Sequence, residues 1–183
     1  MKTSAWWARV LSMVVLSASA VSPAEATGTY QTPESFLAEM FGGTVPPPQA
    51  LWVQPEVGVQ ADAILGHDLG ALRVRYWSQA GRFAWILEEL GKEQPITVGI
   101  VTAADRIEQL RVLIFRESRG WEVRHPFFTD QFRGVGLDER RHLAPSIDGV
   151  SGATLSVSAL TRLARLALLL HGAAAVGTQA PAP

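Results

Sequence analysis

The chain has 183 residues, of which 16 are Lys or Arg and 17 are Asp or Glu, so its formal net charge is −1. This balance, without a run of basic residues, argues against a nucleic-acid-binding protein. Cysteine is absent, which excludes disulfides, iron–sulfur clusters and c-type haem. The four histidines stand too far apart in the sequence for paired metal ligands, so no metal site is predicted.

The first 26 residues have the pattern of a cleaved signal peptide. Lys2 and Arg9 precede an apolar run at 10–16, and two small-x-small cleavage sites follow, ending at Ala20 and Ala26. The apolar run is too short to span a bilayer comfortably. We therefore expect export of the chain and a periplasmic or other extracytoplasmic location.

Residues 27–71 are predicted to form an arm of helical and extended segments. Thr32 and Pro33 mark a helix start, and a Gly-Gly pair after Phe41 marks its end. A short strand is expected at 51–53, and a helix or an irregular segment at 57–65.

From Leu72 onward, apolar and polar residues alternate, which is typical of strands with one buried face. The alternation covers 72–77 and 83–87, and two further β-rich runs cover 96–101 and 107–115. The sequence thus predicts an α+β fold in which a small, mainly antiparallel sheet of four strands packs one face against helices.

The segment that follows the last predicted strand has the composition of a ligand loop. Arg119 is a cation that can pair with an anion, Gly120 permits a tight turn, and Trp121 offers a large ring for stacking. The alternative is a surface Arg–Glu pair beside a core tryptophan.

Asp148 opens a run of small residues that leads into the last predicted helix. Ser151, Gly152 and Ala153 let the backbone turn tightly, and Thr154 places a hydroxyl at the helix start. Unpaired N–H groups and the helix dipole favour an anion at that point. The run therefore predicts a phosphate site beside a side chain that can be esterified.

Two other interpretations of this run stay open. In the first, Ser151 or Thr154 simply caps the helix within an ordinary loop. In the second, Ser151 is a nucleophile, because the run 149–152 is similar to the start of a Gly-x-Ser-x-Gly turn. The fifth position of that pattern is Ala153, however, and no histidine stands out as a partner.

The last helix is expected at about 154–170. Its buried stripe is predicted to be Leu155, Ala159, Leu163, Leu166 and Leu170. Arg162 and Arg165 are placed on the solvent side. Gly172 is predicted to end the helix and to leave 172–183 as a disordered tail.

The run Asp148-x-x-Ser151-Gly152-Ala153-Thr154 resembles the flavinylation motif of the FMN-binding domain family. This family includes extracytoplasmic subunits of the Rnf and Nqr electron-transport complexes and the outer domain of nitrous-oxide-reductase regulators. The resemblance covers about 70–171. It implies FMN bound by a phosphoester to Thr154, attached by a flavin transferase that uses FAD and magnesium. The other motif residues are then candidates for cofactor binding, together with Glu117, Arg119, Gly120 and Trp121.

The resemblance also implies an electron carrier without catalytic residues of its own. Such a carrier relays electrons between membrane-bound or soluble redox partners outside the cytoplasm. The alternative is a non-redox domain that binds an anion or a flavin reversibly as a sensor or regulator. The expected organisation is a signal peptide at 1–26, an arm at 27–71, the FMN-binding domain at 72–171 and a tail at 172–183.

Overall fold

A six-stranded antiparallel sheet forms the centre of this computed structural model, which describes residues 28–179. Its strands are β1 (Gly28–Thr29), β2 (Gln49–Trp52), β3 (Arg73–Gln79), β4 (Arg82–Leu90), β5 (Pro95–Ala103) and β6 (Arg106–Phe115). Their spatial order is β1-β6-β5-β4-β3-β2. The predicted signal peptide and residues 180–183 lie outside the described residues.

Four helices and a small second sheet complete the described part. The helices are α1 (Pro33–Met40), α2 (Pro55–Leu65), α3 (Pro126–Thr129) and α4 (Thr154–Gln179). Strands β7 (Gly136–Leu137) and β8 (Leu143–Ala144) pair with each other. Short 3-10 turns cover Trp121–Arg124 and Asp130–Phe132. The predicted α+β class is confirmed.

Alternation along the central strands buries both faces of the sheet. On β4, Phe83, Trp85 and Leu87 belong to the main core, whereas Ala84 lies in a second, smaller core. Phe36 of α1 is fully buried in that second core. Helices therefore cover both faces of the sheet, one more than the single helix-covered face that the sequence predicted.

The N-terminal segment supplies both edge strands of the sheet: β2 corresponds to the short strand expected at 51–53, whereas β1 was not predicted. β2 pairs with β3, and the two-residue β1 pairs with the end of β6. β1 is too short to show any periodicity, because a pattern of period two needs several residues. The residues before Leu72 thus supply both edges of the sheet as well as α1 and α2.

Helix α4 carries much of the main core. Its buried residues include Ala159, Leu160, Leu163, Ala164, Leu166, Ala167, Leu168, Leu169, Leu170 and Ala174. It continues to Gln179, so the predicted helix end at Gly172 is wrong. Three alanines follow Gly172, and alanine is the strongest helix former. The buried Ala174 adds packing that outweighs the cost of one glycine.

The stretch Thr154–Gly177 of α4 is long and apolar enough to cross a membrane, judged by length and composition. Of the 18-residue stretch of this helix with the highest mean hydropathy, 61% is buried inside the fold. A helix that packs against a sheet as part of the core passes the same test, so this property is weak support for a membrane span.

The helical pattern predicted Arg162 on the solvent side of α4, and this prediction is wrong. Its Nη2 donates to Oε1 of Glu89 at 2.9 Å, and Glu89 is buried. The same carboxylate lies 3.2 Å from Nε2 of His67. A buried carboxylate needs such partners, and this cluster connects α4 to β4 and to the end of α2. Arg165 instead donates through Nε to the carbonyl of Arg141 at 2.7 Å.

Two glycine substitutions test this packing. A Cβ on Gly99 would lie 2.7–2.8 Å from carbons of the Phe36 ring. Gly99→Ala should therefore reduce the free energy of unfolding by roughly 1–3 kcal/mol.

Gly172 has open space around it inside α4, so Gly172→Ala should raise the free energy of unfolding by up to about 1 kcal/mol.

Urea denaturation of both variants measures these changes. A stable Gly99→Ala variant would argue against close packing of α1 on the sheet. A Gly172→Ala variant that gains no stability would argue against a helix continuing through this position.

Candidate functional site

A cleft of about 620 Å³ opens at one end of the sheet, where three separate segments meet. Its lining residues are Lys92, Glu93, Glu117, Ser118, Arg119, Gly152, Ala153, Thr154, Leu155 and Ser156. The sheet topology explains this meeting, because β4 and β6 are both antiparallel to β5. The carboxyl ends of β4 and β6 therefore lie at the same end of the sheet, beside the start of α4.

The start of α4 has no side-chain cap. The carbonyl of Ala153 accepts from the N–H of Val157 at 2.9 Å, so Ala153 is the N-cap residue and Thr154 the first helical residue. The N–H groups of Thr154, Leu155 and Ser156 have no acceptor among residues 28–179. The interpretation of Ser151 or Thr154 as a helix cap is therefore wrong. These free donors and the helix dipole favour an anion at this end of the cleft.

Thr154 is exposed in the cleft, at the end where these donors lie. Gly152, two residues earlier, has φ = +81°, a conformation that side-chain-bearing residues rarely adopt. This glycine turns the chain from the loop into the helix. The sequence-predicted turn of Ser151, Gly152 and Ala153 is therefore present, although Ser151 is exposed and does not line the cleft.

The interpretation of Ser151 as a nucleophile has no structural support. No side-chain hydrogen bond joins Ser151 to a histidine in the described part of the chain, and no histidine lines the cleft. A serine nucleophile needs a base within hydrogen-bond reach.

Gly120 brings the loop after β6 into direct contact with the start of α4. Its φ is +81°, and a Cβ there would lie 2.8 Å from Oγ of Ser156 and 3.4 Å from Cα and Cβ of Ala153. A larger residue at this position would thus push two walls of the cleft apart. The predicted need for a small, flexible residue at 120 agrees with this geometry.

Glu117 holds the turn between β4 and β5. Its Oε1 accepts from the N–H groups of Lys92 at 2.6 Å, Glu93 at 2.6 Å and Gln94 at 2.9 Å. Burial raises the pKa of the Glu117 carboxyl, but the three N–H donors and the Lys92 ammonium outweigh it, so the pKa is lowered. Gly91 leaves room for this carboxylate, because a Cβ there would lie 2.9 Å from Oε1.

The cations at the cleft are Arg119 and Lys92. Arg119 is exposed and makes no ion pair within residues 28–179. Lys92 lies 3.2 Å from Glu93, and both side chains are about 70% exposed, so this pair contributes little. Lys92 was not predicted as a site residue. The sequence signal for it was a basic residue in the turn that joins two predicted strands.

Two predicted site residues do not line the cleft. Trp121 lies under the guanidinium of Arg124, at 5.0 Å from ring centroid to carbon, and packs edge-on against His125. Asp148 is exposed, and its backbone N–H donates to Oε1 of Gln131 at 2.8 Å. Neither residue is among the lining set of the cleft.

Comparison with known proteins gives one match. A family model described as FMN-binding domain matches residues 91–169. This stretch belongs to the FMN-binding domain family. No curated protein and no solved structure matches the chain. The matched stretch contains every residue that lines the cleft.

The residues of this FMN-binding domain fit the phosphate of the flavin at the start of α4. The three free N–H groups and the guanidinium of Arg119 supply donors and positive charge. The cradle formed by Gly120 and Ser156 has no room for an extra carbon. Leu155 is 51% exposed at the cleft and offers an apolar surface to a ring system. No group of three or more metal-ligating side chains occurs within residues 28–179.

Replacement of Glu117 tests how far the cleft depends on this carboxylate. Glu117→Gln keeps the shape but removes the charge, so we expect the free energy of unfolding to fall by roughly 1.5–3 kcal/mol at neutral pH. The lowered pKa means that this stabilisation is complete above the pKa of the unfolded chain and is lost as the pH falls through the folded pKa.

The stability difference between the wild type and Glu117→Gln should therefore shrink as the pH falls below about 4. Urea denaturation at a series of pH values measures it. Glu139→Gln, at an exposed position, is the matched control and should cause little change. A difference for Glu117→Gln that stays constant into acid would show that the charge of Glu117 is not the cause.

Proposed function

We propose that the protein is an exported electron-transfer flavoprotein that carries FMN on Thr154 through a phosphoester bond. The observation that supports this most directly is the position of Thr154. Its side chain stands in the cleft as the first residue of α4, beside three N–H groups that have no acceptor in the described part of the chain. The resemblance of 148–154 to the family's flavinylation motif points to the same residue.

The electrostatics of the cleft favour a phosphate at this hydroxyl over one at the β4–β5 turn. The turn already directs its three consecutive N–H groups to Glu117. The start of α4 has no such internal anion. A phosphodiester keeps one negative charge, which the helix dipole and Arg119 stabilise.

The side chains of the cleft suit a carrier better than an acid–base catalyst. Its titratable lining residues are Lys92, Glu93, Glu117 and Arg119. Glu117 is the buried carboxyl among them, and its lowered pKa keeps it ionised, which makes it a poor proton donor near neutral pH. FMN, when bound, supplies the redox chemistry, and these residues bind and orient it.

The proposed location and partners rest on the sequence. Residues 1–26 have the pattern of a signal peptide, so the chain is exported and receives its flavin outside the cytoplasm. The maturation partner is a flavin transferase that uses FAD and magnesium. The working partners are membrane-bound or soluble redox proteins on the same side of the membrane. A covalent bond suits this location, because a dissociable flavin is lost there.

Substitution at Thr154 tests the attachment. Thr154→Ala, Thr154→Ser and Ser151→Ala are each co-expressed with a flavin transferase that modifies a known substrate in the same cells. Intact mass and in-gel fluorescence after denaturation report covalent flavin. We expect flavin on the wild type and on Ser151→Ala, partial modification of Thr154→Ser, and none on Thr154→Ala.

Circular dichroism confirms that each variant is folded. Covalent flavin on Thr154→Ala, or on a peptide without Thr154, would overturn the assignment. A wild type that is never modified but binds free FMN reversibly would favour a sensor or regulatory domain.

Removal of residues 2–26 tests the export step. The truncated chain should remain in the cytoplasm and carry no covalent flavin, because attachment occurs outside. Cell fractionation and the same mass measurement report both properties. Full flavinylation of the truncated chain would contradict attachment after export.

A further inference from the structure

A second cavity, of about 530 Å³, lies beside β6 and the segment that follows β1. It shares no lining residue with the cleft at Thr154 and Arg119, which is called the flavin cleft below. Six of its seven lining residues are polar or charged: Tyr30, Gln31, Ser35, Arg111, Arg124 and His125. Its volume is in the range of small-molecule sites in proteins. The proposed flavin carrier uses none of these residues, so a ligand in this cavity would be independent of the flavin.

Arg124 is held in a fixed orientation at this cavity. The carbon of its guanidinium lies 4.2 Å from the centroid of the Tyr30 ring and 5.0 Å from that of the Trp121 ring. A hydrogen bond with the Tyr30 side chain adds to these cation–π contacts. Its Nε is buried without a hydrogen-bond partner. No carboxylate within residues 28–179 forms an ion pair with it, so its charge is not neutralised locally.

Arg111 brings a second guanidinium to the same cavity. Its Nη1 donates to Oε2 of Glu39 at 2.7 Å and to Oε1 of Gln31 at 3.0 Å. Both bonds use one nitrogen, so the other two guanidinium nitrogens have no acceptor among residues 28–179. Glu39 balances the charge of Arg111, and the charge of Arg124 remains.

The wall of the cavity thus offers many donors around one uncompensated positive charge. The hydroxyl of Ser35 and the ring of His125 add to the two guanidinium groups. Phe127 stacks on His125 at 6.1 Å between centroids and is 64% exposed. This ring gives an apolar surface next to the cavity, which suits an organic body better than a bare inorganic ion.

We propose that this cavity binds a small organic anion whose carboxylate or phosphate group is received by Arg124 and Arg111. Guanidinium groups match both oxyanions in geometry and charge. The organic part of the ligand contacts the rings of His125 and Phe127. The site is thus an anion-binding site distinct from the flavin cleft.

Titration of the full chain with benzoate, phenyl phosphate and inorganic phosphate tests this proposal. Calorimetry is done at constant ionic strength with chloride as the balancing anion. We expect saturable 1:1 binding of benzoate or phenyl phosphate and weaker binding of inorganic phosphate. The tighter of the two aromatic probes identifies the oxyanion that the site prefers.

Variants then locate the binding. Arg124→Met keeps an unbranched apolar stem but removes the guanidinium group and its charge, and should raise the dissociation constant about tenfold or more. Arg140→Met, at an exposed arginine outside both sites, is the matched control and should leave it unchanged. Ser35→Leu narrows the cavity but leaves Arg124 in place, and it should also weaken binding of the probes. This second variant tests the site if Arg124→Met does not fold.

Three results would overturn the proposal. The first is the absence of saturable binding of both aromatic probes to the wild type. The second is unchanged binding in folded Arg124→Met and Ser35→Leu. The third is loss of binding in Arg119→Gln, because that would place the anion in the flavin cleft.

Discussion

The cleft at the start of α4 depends on the carboxylate of Glu117. Oε1 of Glu117 receives three consecutive backbone N–H groups of the β4–β5 turn and so connects that turn to the segment after β6. A buried carboxylate without such donors is costly, and the three N–H groups of the turn find their acceptor in this carboxylate. Each therefore satisfies the other. Two of the three walls of the cleft are fixed by this interaction before any ligand is present.

The third wall is positioned by the core of the protein. Helix α4 packs along the main core and is connected to β4 through the Arg162–Glu89 ion pair. Close contact of Gly120 with Ser156 then sets the start of this helix against the loop after β6. The free N–H groups of α4 are thus held by a rigid scaffold. Such preorganised donors bind an anion without further ordering of the backbone.

Charge is divided between the two sides of the cleft. The turn uses its donors on an internal anion, Glu117, whereas the start of α4 has none in the described part of the chain. The donors at the start of α4 therefore favour a negatively charged group more than those of the turn do. The segment 117–124 continues from this cleft to the cavity lined by Arg111 and Arg124, so one short stretch contributes to both cavities.

The sequence by itself determined the α+β class, the four central strands and the tight turn before α4, because these depend on local features. Apolar alternation or a run of β-branched residues shows within a single strand of six or more residues, and small residues before a helix mark a tight turn wherever it lies. Only the tertiary structure decided which side chains meet. Glu117 binds a turn more than twenty residues away, and Arg162 pairs with Glu89 across 73 positions. Helical periodicity predicted Arg162 on the solvent side, because the pattern of one helix carries no information about the buried carboxylate of Glu89 on a neighbouring strand. The edge strand β1 and the extension of α4 beyond Gly172 were likewise decided by packing against the sheet, which outweighs local propensity.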